Sequence, residues 1–120
     1  MSRDWVFCLE DIVECGLRIA SYTQEMSLAE FRGNQLVFDA VVRNLEVIGE
    51  AARHLPEEFT SAHPDVAWSR TVAFRDVIAR HYFGLDPQIV WDLVQTKIPE
   101  IVRTAGAALD RSRQHREALI

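Results

Sequence analysis

The sequence lacks the patterns that mark membrane and secreted proteins. Its apolar runs are only a few residues long, well short of the ~20 that a membrane-spanning helix needs. Residues Met1 to Trp5 show no long apolar stretch and no small-residue cleavage site, which argues against a secretory signal. The two cysteines, Cys8 and Cys15, would lie two turns apart on a helix, too far apart to bridge. We therefore expect a cytoplasmic protein with two small, buried, unlinked cysteines and no membrane partner.

Positive charge is scarce as well. The 120 residues include 13 Lys and Arg against 18 Asp and Glu, which gives a formal net charge of −5. A protein that coats nucleic acid is normally basic, so any contact with RNA must use a local basic patch. Hydrophobic residues make up 48% and charged residues 26% of the chain, the balance of one ordinary globular domain.

Signatures of several enzyme classes are missing too. No two of the four histidines stand three or four residues apart, and no paired-cysteine pattern of a zinc site is present. The sequence also contains neither a P-loop nor a GxSxG nucleophile elbow. We therefore expect no bound metal and no cofactor.

Helical periodicity dominates what is present, because no segment alternates with period two. Capping signals start helices at Ser27, with Glu30 three residues later, and at Asp86, with Pro87 in the first helical position. The pattern predicts an all-α antiparallel bundle of about five or six helices in one domain over residues 1–110, followed by a polar, fraying tail at 111–120. The predicted helices are Asp4–Tyr22, Asn34–Leu55, Ala67–Phe83 (ended by Gly84), Asp86–Ile98 and one from Pro99, with short ones at Ser27–Gly33 and Pro56–Phe59.

The densest positive spot lies between Arg70 and Tyr82. It contains three arginines and one aspartate, a formal charge of +2 in an acidic chain. Cleavage of RNA without a metal needs a base, an acid and a cation beside the phosphate. Within this spot, Arg75 and Arg80 can supply the cation, His81 can exchange protons and Tyr82 offers a hydroxyl and a flat ring.

Helix geometry limits how these side chains can cooperate. Arg75 and Tyr82 are seven residues apart and share a face, whereas Arg75 and His81 point roughly 120° apart on an ideal helix. A single straight helix would not aim both at one phosphate. Either the helix ends irregularly near Gly84, or two subunits share the site.

A purely structural interpretation of the same residues stays open. Asp76 and Arg80 have the spacing of a solvent-exposed ion pair, and Tyr82 could be a core aromatic. On the preceding long helix, Gly49 suggests close helix packing, while Glu50 could either orient Arg75 or His81 or remain a surface carboxylate.

Several ordered motifs resemble the HepT-like toxins of the HEPN family. That family's signature is an arginine, a polar residue, three further residues, a histidine, any residue and a tyrosine, often followed by Phe-Gly and an aspartate. The resemblance covers roughly residues 4–102. The matching segments are Phe74–Asp86, Asp39–Ala51, Pro64–Trp68, Val90-Trp91 and Ile98-Pro99.

The resemblance implies a fold, a reaction and partners. It implies a helical bundle that forms a homodimer or a higher even oligomer and cleaves RNA without a metal at the subunit interface. It also implies an MntA-like nucleotidyltransferase antitoxin that neutralises the toxin by AMPylation of the motif tyrosine. By position, Arg75 is the motif arginine, Asp76 the polar residue after it, and Tyr82 the modified tyrosine.

One position departs from the family pattern. Arg80 stands where the family usually has its histidine, and His81 follows at once. Arginine stays charged and cannot exchange protons at neutral pH. Either His81 takes over the role and the chain is an active ribonuclease toxin, or the chain is inactive and serves as a non-catalytic binding partner or substrate-binding subunit of a minimal nucleotidyltransferase.

Overall fold

Helices make up nearly all of the fold. The computed structural model describes residues 3–118, and no β-strand forms within them. Over residues 3–118, five helices have nine residues or more, as the sequence predicts, and two shorter ones connect them. In chain order these are α1 (Arg3–Thr23), α2 (Leu28–Arg32), α3 (Gln35–Arg53), α4 (Glu57–Ala62), α5 (Trp68–His81), α6 (Pro87–Gln95) and α7 (Lys97–Ala118), with a 3₁₀ turn at Tyr82–Gly84 between α5 and α6.

Side-chain caps set several helix starts. Ser27 Oγ accepts a hydrogen bond from the backbone N–H of Glu30 at 3.1 Å, and Glu30 Oε1 accepts one from the N–H of Ser27 at 3.0 Å. The predicted capping box of α2 is thereby confirmed. Asn34 caps α3, and Asp86 caps α6 with Pro87 in the first turn, so the predicted start of α6 is confirmed as well.

Helix α3 lies at the centre of the bundle. It packs against α1 on one side and α5 on another, while α7 packs against α1 and α6. Two glycines let the backbones of neighbouring helices come close together. A Cβ on Gly16 would overlap with Val102 Cγ2 of α7, and one on Gly49 would come 2.6 Å from Arg75 Cβ of α5. Close packing at Gly49, predicted from the sequence, is confirmed.

Apolar stripes on these helices form one core. Leu9, Ile12 and Ile19 of α1 meet Val41 and Ile48 of α3, and all five are essentially inaccessible to water. Burying side chains of this size contributes about 1.5–3 kcal/mol each. Within residues 3–118, no helix combines the length and apolar character needed to cross a bilayer.

Several predicted helix ends are wrong, among them that of α6, which ends at Gln95 and not near Ile98 because α7 already begins at Lys97. Helix α5 ends at His81 and not at Phe83, because the backbone leaves helical geometry there (φ −132°, ψ 34°) and continues as the 3₁₀ turn. Helix α7 continues past Asp110 to Ala118, where the sequence suggested a fraying tail. No glycine or proline interrupts residues 111–118, and Arg111 Nη2 lies 3.3 Å from His63 Nε2 of the loop after α4.

The cysteines differ in burial. Cys15 is buried and Cys8 is half-buried, and both thiols are free. The prediction of unlinked thiols is confirmed, although only Cys15 is fully enclosed. Burial is the main cause that raises the pKa of both thiols, and the nearby Asp11 carboxylate raises them further.

Candidate functional site

Arg75 is held against α3 by an ion pair. Because Gly49 has no side chain, the stem of Arg75 lies directly on α3, and its Nε is 3.3 Å from Glu50 Oε2. This Oε2 atom is buried and has no hydrogen-bond partner among the described residues, so the ion pair compensates its charge. Of the two roles open for Glu50, the structure favours the one beside Arg75.

Asp76 holds the same arginine from the other side. Asp76 Oδ1 lies 3.6 Å from Arg75 Nη1 and 3.3 Å from Nη2 of Arg53, which is on α3. The surface pair between Asp76 and Arg80 that their spacing suggests is therefore replaced by contacts to α3. Two carboxylates fix the guanidinium, whose side chain keeps 34% of its surface exposed. Arg75 is thus oriented but still accessible to an anion.

A groove of about 280 Å³ opens beside this arginine, between α1, α3 and α5. His54, the C-cap of α3 one turn beyond Glu50, lies on the wall of this groove, and its Nε2 is 3.2 Å from Glu50 Oε1. Glu50 therefore bridges the imidazole and the guanidinium, one carboxylate oxygen to each. The groove is lined by Cys8, Asp11, Arg43, Glu46, Val47, Glu50, Ala51, His54 and Arg75.

Tyr82 reaches α3 at a different point. Its hydroxyl donates a hydrogen bond to Asp39 Oδ1, which also accepts one from Gln35 Nε2 at 2.7 Å. Asp39 and Glu50 are eleven residues apart on α3, about 16 Å along the helix axis. Arg75 and Tyr82 thus both meet α3, as their shared face predicts, but about three turns apart.

The hydrogen bond with Asp39 raises the pKa of Tyr82 to about 12, and burial and the charges of Asp39 and Glu46 add to the effect. In an unfolded chain the pKa of tyrosine is about 10. The folded state therefore holds the proton more tightly. The resulting stabilisation is fully present below about pH 10 and is lost as the pH rises through about 12.

We expect the difference in unfolding free energy between the natural chain and Tyr82→Phe to shrink between about pH 10 and about pH 12. Urea unfolding of both proteins across this range measures it. When Asp39→Asn is present in both proteins, most of this pH dependence should disappear. An unchanged dependence would show that another group controls the titration of Tyr82.

Arg80 and His81 stand apart from this groove. Both side chains are exposed at the end of α5, and neither lines the groove beside Arg75. The helix does become irregular near Gly84, as one alternative required, but only from His81 onward. Within one chain the structure therefore brings together Arg75, Asp76 and Glu50, and leaves Arg80 and His81 outside.

Sequence reasoning missed two contributors, Asp39 and His54. Asp39 lies on the face of α3 that carries Glu50, three turns before it, and His54 follows Glu50 by one turn as the C-cap of α3. That periodic spacing was the available signal. In the part of the chain that the structure describes, no group of three or more His, Cys, Asp or Glu side chains is arranged to hold a metal ion.

Comparison with known proteins agrees with the motif order. Residues 12–107 match the family described as "Ribonuclease HepT-like". A candidate RNase of Methanocaldococcus jannaschii is 40% identical over 95 residues, which cover 79% of this chain and 78% of that protein. A probable ribonuclease HepT of Thermococcus cleftensis is 35% identical over 101 residues, 84% of this chain and 92% of that protein.

No solved structure matches this chain. The family match covers most of the sequence and includes both the α3 motif and the α5 motif. The resemblance seen in the sequence is thereby confirmed, and the all-α fold agrees with it. The chain belongs to the HepT-like ribonuclease family.

Proposed function

We propose that this chain is the ribonuclease toxin of a type VII-like toxin–antitoxin module and cleaves RNA in the cytoplasm without a metal ion. The observation that carries the proposal is Arg75, accessible in a groove and oriented by Glu50 and Asp76. A guanidinium held in this way can stabilise the negative charge that builds up on a phosphate during cleavage. The RNase names of its relatives give further support.

If arginine supplies this stabilisation, chelation should leave the reaction intact. We expect purified protein to cleave a single-stranded RNA at the same rate with and without EDTA, because the charge on the phosphate is met by Arg75. Gel analysis of an end-labelled RNA measures the rate. Loss of cleavage in EDTA that added Mg²⁺ or Mn²⁺ restores would contradict the proposal.

A homodimer, or a higher even oligomer, is part of this proposal. The outer face of α5 exposes Val77 (41% accessible), and Phe83 of the following turn is fully exposed. Apolar side chains at these positions suit a two-fold contact in which one patch meets itself. Such a contact could also bring the His81 or Arg80 of one subunit towards the Arg75 of the other. Sedimentation as monomer alone at micromolar concentration would contradict it.

Tyr82 is the proposed point of control by an MntA-like nucleotidyltransferase antitoxin. Its ring is only half-buried, and it lies in a turn, so another enzyme can approach the hydroxyl. AMPylation there would add a negative phosphate and a bulky base. Both would oppose RNA binding at the nearby basic residues.

Incubation with the cognate nucleotidyltransferase, ATP and Mg²⁺ should add the mass of AMP to the peptide that contains Tyr82. Tyr82→Phe should abolish the addition, and the enzyme should modify no other residue of that variant. Peptide mass spectrometry makes the measurement, and Tyr22→Phe on α1 is the matched control. Mass added to another peptide, or persisting in Tyr82→Phe, would show that the assignment is wrong.

A second candidate function has two specific observations in its favour. Arg80 at the usual histidine position cannot exchange protons, and the carboxylates of Glu50 and Asp76 already neutralise Arg75. These features favour a non-catalytic subunit that binds a minimal nucleotidyltransferase. Comparing RNA cleavage by the natural chain and by Arg80→His separates the two candidates. If the chain lacks only the proton-transferring histidine, Arg80→His should cleave RNA faster, whereas a non-catalytic subunit should gain no activity from the change.

A further inference from the structure

We propose that His54, at the C-terminal end of α3, is the proton-transfer residue of the ribonuclease site and takes the role that Arg80 cannot perform. This inference rests on the proposed ribonuclease function. A chain of contacts crosses the groove: His54 Nε2 is 3.2 Å from Glu50 Oε1, and Glu50 Oε2 is 3.3 Å from Arg75 Nε. One carboxylate thus places an imidazole and a guanidinium on the same wall.

The position of His54 suits access by RNA. Its side chain is 64% exposed, that of Glu50 44%, and that of Arg75 34%, so all three can be reached from solvent. His81, by contrast, follows Arg75 by six residues on a continuous helix and leaves it about 120° away. Within one chain, His54 is the histidine that shares the groove with Arg75.

Charged side chains from three helices line the groove around Glu50. The charged groups that line the groove together with His54 are Asp11 from α1, Arg43, Glu46 and Glu50 from α3, and Arg75 from α5. Two arginines against three carboxylates make a formal charge of −1 while His54 is neutral, and of 0 once it is protonated. Glu50, whose Oε1 lies 3.2 Å from His54 Nε2, is placed to orient the imidazole and to pair with the imidazolium that forms during the reaction.

The step balances with groups already present. Neutral His54 takes the proton of the attacking 2′-hydroxyl while the bond from the 2′-oxygen to phosphorus forms. The bond from phosphorus to the 5′-oxygen breaks, and the imidazolium returns the same proton to that oxygen. Arg75 stabilises the charge on the non-bridging oxygens during the exchange. The products are a 2′,3′-cyclic phosphate and a free 5′-hydroxyl, and no other reactant is needed.

The test compares RNA cleavage by the natural chain, His54→Ala and His81→Ala. We expect His54→Ala to slow cleavage by about 10²–10⁴-fold, the usual contribution of a general acid–base group. Imidazole added to the buffer should restore part of the rate to His54→Ala and none to Arg75→Ala. In His54→Gln, the change of rate between about pH 5 and 8 should flatten. His115→Gln, at an exposed position on α7, is the control and should leave the cleavage rate unchanged.

The possible outcomes distinguish a failure of the His54 assignment from a failure of the proposed ribonuclease function. If His54→Ala cleaves RNA at the natural rate while Arg75→Ala does not, the ribonuclease function stands and the role of His54 is overturned. If only His81→Ala loses RNA cleavage, His81 is the proton-transfer residue instead, and the role of His54 is overturned. A loss in His54→Ala that imidazole does not restore reduces His54 to a structural part of the groove and also overturns the proposal. A natural chain that cleaves no RNA removes both.

Discussion

Replacing Arg75 with alanine is expected to slow RNA cleavage by about 10²–10³-fold, the loss typical for removing one preorganised group that stabilises charge in a transition state. Arg75 is the one arginine of the α5 motif that the structure orients into a groove, through Glu50 and Asp76. The rate on an end-labelled RNA under single-turnover conditions measures the effect. Because Arg75→Ala also leaves the buried Glu50 oxygen without its partner, thermal unfolding must show that the variant is folded at the assay temperature.

Two further variants show whether charge or geometry matters. Arg75→Lys keeps the charge but loses the planar fork, so its rate should fall between those of the natural chain and Arg75→Ala. Arg18→Ala removes a solvent-exposed arginine, also paired with a glutamate, from the outside of α1. It should leave the rate unchanged. Equal losses in Arg18→Ala and Arg75→Ala would mean that net charge, and not this site, governs cleavage.

The second large effect concerns stability. Gly49→Ala is expected to lower the free energy of unfolding by about 1–3 kcal/mol, the usual cost of overpacking. The added Cβ would lie 2.6 Å from Arg75 Cβ and 3.2 Å from the backbone oxygen of Thr71, so α5 must move away from α3. This cost opposes the ~1 kcal/mol that alanine normally gains over glycine inside a helix. Urea unfolding measures the difference.

Gly106 on α7 offers a matched control with the opposite sign. A Cβ there would be 4.0 Å from Val13 Cγ2, an ordinary contact. Gly106→Ala should therefore stabilise the protein by roughly 0.5–1 kcal/mol through helix propensity alone. If Gly49→Ala proved as stabilising as Gly106→Ala, the two helices would not be as closely packed as the structure has them. Because α5 must shift in Gly49→Ala, its cleavage rate should fall as well.

The helix starts that depend on residues close together in the sequence were predictable. Ser27 with Glu30, and Asp86 with Pro87, mark helix starts because a cap and its partner are only a few residues apart. The end of α7 was not predictable in this way. Its polar residues 111–118 carry no stop signal, and their helix continues from a well-packed segment.

The site was predictable only in its α5 part. Arg75, Asp76 and Tyr82 stand out as a local motif, but their partners are distant in sequence. Glu50 and Asp39 lie on α3, and the bond between Asp39 and Tyr82 joins residues 43 positions apart. A one-dimensional pattern gives the face of each helix, but it does not give the register in which two helices meet. That register is fixed here by Gly49, which sets where α5 rests on α3.

Helix α5 is supported unevenly. It packs mainly on α3, and on its other side a mostly apolar cleft of about 300 Å³, lined by Phe74, Ile89 and Leu93 among others, separates it from α6 and α7. The helix that carries Arg75 therefore loses fewer contacts when it opens than α3 does, and its amide hydrogens should exchange with solvent by partial opening rather than by global unfolding. Anything that binds across α5, whether a second subunit or RNA, would slow that exchange and add its binding energy to the stability of a helix that packs mainly on one side.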